Sequence, residues 1–76
     1  MEEGDVMSMA EKIRITLLKR KISITELAVN LNTSQSNLSN KLKRDNFSER
    51  ELKQIADILN CDFKGTLIMR DTVEEI

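Results

Sequence analysis

Ser23-Ile-Thr-Glu-Leu-Ala-Val-Asn-Leu-Asn-Thr-Ser-Gln-Ser-Asn-Leu-Ser-Asn-Lys-Leu-Lys-Arg44 holds two short apolar patterns separated by a few polar residues. Ser23 and Glu26 stand at the capping-box spacing, in which a serine oxygen and a glutamate satisfy each other's backbone N–H groups. That predicts a helix over Ile24–Leu31 with Leu27, Ala28 and Leu31 facing inward. Asn32 follows at the helix end, where asparagine tolerates the left-handed backbone. Ser34 can cap a further helix over Gln35–Lys43, whose apolar pair is Leu38 and Leu42 at i, i+4. Ala28 is small where the two helices must cross closely. Leu27, Leu31 and Leu38 supply the contacts between them, so two helices meet steeply around a three-residue turn.

Working outward, the capping signal recurs at Ser8-x-x-Glu11 and at Ser48-x-x-Glu51. The first predicts a helix over Met9–Lys21 with Ala10, Ile13, Leu17 and Arg20 on one stripe and Leu18 widening it. The second predicts a helix over Glu49–Leu59 with Leu52, Ile55, Ala56 and Leu59 as its stripe, stopped at Asn60. Asp45-Asn46 is a turn signal between the third and fourth helices. Phe47 and Phe63 bracket the fourth helix and are expected to anchor the core. From Phe63 to Arg70 the period changes to two, with Phe63, Gly65, Leu67 and Met69 on one side, as in a strand. No other segment reads as a strand, so the simplest partner is the same segment of a second copy, paired antiparallel. The expected architecture is all-α: a compact domain of four to five helices with a short C-terminal strand or extended tail. Residues 1–7 read as a flexible acidic leader, 8–61 as the helical domain and 62–76 as a tail that either dimerises through Phe63, Leu67, Ile68 and Met69 or folds back onto its own helices.

Composition excludes several function classes. Of the 76 residues, 39% are apolar and 33% charged, which suffices for one small core. There is no His and only one Cys, so His-based acid–base catalysis, zinc knuckles and disulfides are not expected. Cys61 reads as a small apolar residue in a reducing compartment. Apolar runs are too short to span a bilayer or to form a signal peptide. Neither a nucleophile–base pair nor a metal cluster is visible, so no enzyme, cofactor, metal or small-molecule ligand is expected. The lack of Pro, with only two Gly, favours helices over a turn-rich β sandwich.

The third helix carries the site. With Leu38 and Leu42 turned inward, Gln35, Ser36, Ser39 and Asn40 fall on the outer surface. Glu and Lys are better helix formers for an inert solvated face. Side-chain amides pair with adenine edges and hydroxyls with either partner, and a helix fits the major groove with its N-terminal residues leading. These four residues are therefore the expected base contacts. Ser23, Ser34, Asn37, Lys41, Lys43, Arg44 and Asn46 are the expected phosphate contacts. Net charge is −1, but its distribution is uneven. Residues 11–44 carry +6, residues 1–10 carry −3 and residues 45–76 carry −4. DNA responds to the local patch within a Debye length of about 8 Å. Lys19, Arg20 and Lys21 either join this patch or simply complement a helix C-terminus.

At Leu27-Ala28, Asn32 and Ser34-Gln35-Ser36 the chain resembles the helix-turn-helix of the phage repressor and Cro-type (XRE) transcription regulators. The similarity continues through Leu52-Lys-Gln-Ile-Ala-Asp-Ile-Leu-Asn60 and covers about Met9 to Cys61. Asn32 replaces the commoner Gly, and Ile24 stands where many members carry a polar phosphate-contacting residue. The resemblance implies a lambda-repressor-like domain and sequence-specific double-stranded DNA binding by a small repressor. It further implies operator binding and a bacterial, phage or mobile-element origin, hence a cytoplasmic protein. Because one recognition helix reads few bases, a homodimer on a palindromic operator with half-sites about 34 Å apart is expected. The rival reading is a protein-binding module, such as an antitoxin or regulatory partner, built on the same fold.

Overall fold

Serine caps every helix of the described residues. A computed structural model describes residues 8–76, so the expected leader lies outside the described residues. The helices are α1 (Met9–Arg20), α2 (Ile24–Asn30), α3 (Gln35–Arg44) and α4 (Glu49–Ile58), followed by β1 (Cys61–Phe63) and β2 (Leu67–Met69). Ser8, Ser23 and Ser48 each close a full capping box with Glu11, Glu26 and Glu51. Ser34 caps α3 alone, accepting from the Asn37 N–H. Each cap contributes about 1 kcal/mol. Helix ends fall within a residue of expectation. Lys21, Asn32, Asp45 and Asn60 take left-handed backbone at the stops (φ 59°, 60°, 52° and 58°).

The core draws on every element. Ile13 and Leu17 of α1, Leu27 and Ala28 of α2, Leu38 and Leu42 of α3, and Leu52, Ile55 and Ala56 of α4 are buried together. Leu59, Cys61, Leu67 and Met69 complete the cluster from the C-terminal side. Each large aliphatic residue contributes about 1.5–3 kcal/mol by leaving water. Leu31, Phe47 and Phe63 are half-buried and pack against this cluster. Burial raises the pKa of the Cys61 thiol, its largest influence, while Arg20 nearby lowers it.

Two expectations fail. Leu18 does not widen the α1 stripe: it is 79% exposed, and Thr16 is the residue buried instead. Thr16 enters the core because its hydroxyl donates back to the Lys12 carbonyl at 2.8 Å, leaving no unpaired polar atom. The second correction concerns the tail. Phe63 to Arg70 is not one strand lacking a partner within the chain. It bends at Lys64-Gly65-Thr66, and Leu67–Met69 pairs antiparallel with Cys61–Phe63 in the register Cys61–Met69, Asp62–Ile68 and Phe63–Leu67. Gly65 sits at φ 74°, where a side chain is strained, so it makes the bend rather than an alternation position.

Beyond β2 the chain turns back as a strap. The Met69 N–H donates to the Glu74 carbonyl, the Ile76 N–H to the Leu67 carbonyl, and Ile68 bridges Glu75. The strap is tied to α1 by Lys19–Glu74 at 2.8 Å and by a two-pronged Arg20–Asp71 pair at 2.8 and 2.9 Å. Arg20 also donates to the carbonyls of Leu59 and Asn60 at the end of α4. One guanidinium thus joins α1, α4 and the strap.

Candidate nucleic-acid interface

The α3 cap and its two buried leucines determine which way its polar residues face. Leu38 and Leu42 are 1% and 3% exposed. Gln35, Ser36 and Asn40 are consequently exposed and Ser39 is half-buried. Together with Lys43 they line one shallow depression along the helix. Asn37, Asn40, Lys41, Arg44 and Asn46 line a second beside it, so Asn40 stands on the ridge between the two. The structure therefore brings all four expected base-contacting residues to one surface.

Side-chain hydrogen bonds hold parts of this face in place. Thr25, in the first turn of α2, donates its hydroxyl to Gln35 Oε1 at 3.0 Å. That bond turns the Gln35 amide so that its NH2 group points to solvent as a donor. Asn37 donates to Thr33 Oγ1 at 2.7 Å, which leaves one N–H of its amide for another partner. Ser23 and Ser34 accept at their caps and keep a hydroxyl hydrogen each. Thr25 was not among the expected site residues. Its only signal in the chain is a hydroxyl at the start of the helix that precedes Gln35.

The cations divide into committed and uncommitted groups. Lys41 is half-buried and pairs with Glu51 of α4 at 2.6 Å. The Lys41 ammonium, followed by the Ser48 N–H, lowers the Glu51 pKa. This pair locks α3 to α4, and the Lys41 charge is largely offset. Lys19 and Arg20 are occupied by the acidic strap. Lys43 and Arg44 are exposed, and among the described residues neither has an acidic partner. Asn46 is exposed in the following loop, its N–H held by the Lys41 carbonyl. Of the residues expected to dimerise, Leu67 and Met69 are 0% and 5% exposed and belong to the protomer's own core. Phe63 and Ile68 remain half-exposed.

A short helix, a four-residue turn and a second helix with an uncharged polar face and a basic end define a helix-turn-helix DNA-binding regulator. Residues 12–72, most of the chain, match the family model of the Cro/C1-type helix-turn-helix DNA-binding domain. The chain belongs to that family. No curated protein and no solved structure matches it. None of the described helices is long and apolar enough to cross a membrane.

Proposed function

We propose that the chain is a sequence-specific regulator, acting as a repressor, that lays α3 in the major groove of double-stranded DNA. The observation that carries this reading is the face itself. Exposed Gln35, Ser36 and Asn40 and half-buried Ser39 form one stripe without charge, ended by Lys43 and Arg44. Base edges are read by the stripe; flanking phosphates are held by the two cations, with Ser23, Ser34, Asn37 and Asn46 as neutral donors. Lys41, drawn onto Glu51, acts there by holding α3 on α4.

One such helix reads few bases, so two copies on a palindromic operator are needed for useful discrimination. No strand of the described residues pairs with the outer edge of β1, and Phe63 and Ile68 keep partly exposed apolar surface beside it. Antiparallel pairing of two β1 edges about a twofold axis is the proposed contact. Selection from a random duplex library tests the whole reading. A palindrome with half-sites about one helical turn apart, roughly 34 Å, is expected. Recovery of unrelated duplexes after several rounds would reject sequence-specific readout. A light-scattering mass of one protomer at concentrations well above those needed for binding would reject the dimer.

A further inference from the structure

One apolar surface has no part in the DNA face. Leu18 is 79% exposed, the highest value among the large apolar side chains of the described residues. It does not stand alone. Buried Leu17 and half-buried Ile22 and Ile24 join it, with exposed Arg14 and Ser23, in an open groove of about 370 Å3 between the end of α1 and the start of α2. Single apolar residues are ordinary on a surface, whereas a contiguous set with a polar rim marks an interaction site. Ile24 opens α2 beside Thr25, yet an aliphatic side chain has no hydrogen bond to give a phosphate. Two cations frame the groove. Arg14 and Lys21 are exposed and, among the described residues, neither has an acidic partner. Helical spacing places Arg14, Leu18 and Lys21 on one stripe, with the cations about 10 Å apart along α1. The acids nearest in the chain, Glu11 and Glu26, accept from the Ser8 and Ser23 N–H groups in their capping boxes. The neighbouring side of α1 shows what such cations take: there Lys19 and Arg20 hold Glu74 and Asp71 of the strap.

We propose that this groove docks an amphipathic helix of a partner protein. Aliphatic side chains of that helix lie against Leu18, Ile22 and Ile24, and two of its carboxylates, two turns apart, sit on Arg14 and Lys21. The inference is independent of the reading of α3. The apolar contact supplies affinity, and the carboxylates fix direction and register. The strap of a second copy cannot supply them, because Asp71 and Glu74 are already paired within their own protomer. A bilayer fits poorly: surfaces that lie on lipid push a protruding apolar face into it, whereas Leu17, Ile22 and Ile24 line a recess. A small molecule fits poorly too, because ligand sites bury most of their ligand and this groove is open along its length.

The test selects binders of the full chain from a displayed library of helical peptides randomised along one face. Winners are expected to carry an aliphatic stripe flanked by acids at i and i+7. One synthetic winner is then the probe, and it is expected to shift the methyl NMR signals of Leu18, Ile22 and Ile24. Leu18→Ser is expected to weaken that peptide about tenfold or more. R14E/K21E is expected to weaken it about three- to tenfold, with the gap closing as salt rises. All three positions are exposed, so amide spectra that otherwise match the unaltered chain are expected and report an intact fold. Winners without the acid pair, winners that move α3 or β1 signals instead, or no winners at all would overturn the inference. So would equal shifts of the Leu18 methyls on adding duplex DNA or anionic vesicles, or on raising the concentration of the chain alone. The reading of α3 is tested separately, by the duplex selection.

Discussion

On the proposed reading of α3, Gln35 is the residue whose surroundings bear most on selectivity. Its carbonyl oxygen receives the Thr25 hydroxyl, so its NH2 group is presented outward in a fixed sense. Gln35→Ala is expected to cost about 1–3 kcal/mol on the selected operator and to relax preference at one base pair. Thr25→Val should leave that contact in place but free the amide to rotate. It is expected to cost under about 1 kcal/mol in affinity while narrowing the gap between operator and single-base variants. Titrations on the operator and on each single-base variant check both. Equal losses on every duplex for Gln35→Ala would count against its role. Val73 is notable for a different reason. It is a β-branched residue at φ 60°, 74% exposed, and held in that conformation by the strap's hydrogen bonds. Asparagine tolerates such backbone better. Val73→Asn is expected to raise stability by about 0.5–1 kcal/mol, read as the midpoint of denaturant unfolding.

Among the elements, α3 carries an uncharged polar stripe along its length and exposed cations at its end. Lys43→Ala is expected to weaken binding to all duplexes alike and to reduce the slope of log affinity against log salt by about one. A loss confined to one base position would place Lys43 among the readers instead. The four helices were legible because each opens on a serine, three of them with a glutamate three places on, and because Leu38, Leu42, Leu52 and Ile55 repeat at helical spacing. The hairpin was not. Its strands are three residues each, Asp62 and Cys61 give little strand signal, and Gly65 fell in phase with a false alternation. The polar face of α3 was legible from its own two leucines. What the cations do was not, because that depends on partners distant in the chain. Lys41 meets Glu51 on another helix, and Lys19 and Arg20 meet acids more than fifty residues away. Leu18 and Thr16 exchanged places because a threonine that bonds its own helix can outcompete a leucine for a buried position.

For the whole molecule, the strap neutralises one part of the basic surface, at Lys19 and Arg20, and leaves Lys43 and Arg44 without an acidic partner among the described residues. Asp71 is its key acid: the Arg20 guanidinium lowers its pKa from 3.8 to about 2. A lowered carboxyl pKa in the folded state means that the pair stabilises the fold fully above pH 3.8. The contribution fades as pH falls from there toward 2. NMR signals of Arg20 and of the Met69 and Ile76 amides are expected to shift together across that interval. Asp71→Asn should remove the step. A strap that holds its signals unchanged at pH 2 would show that the pair does not secure it.

The hairpin has a further consequence. Its second strand is flanked on one side by the first and on the other by the returning tail, so among the described residues one open flank of the sheet survives. An object with a single sticky margin has a valency of one. If two such margins meet as proposed, no strand edge of the described residues remains for a third copy, and self-association by this route stops at a closed pair rather than growing into a fibre.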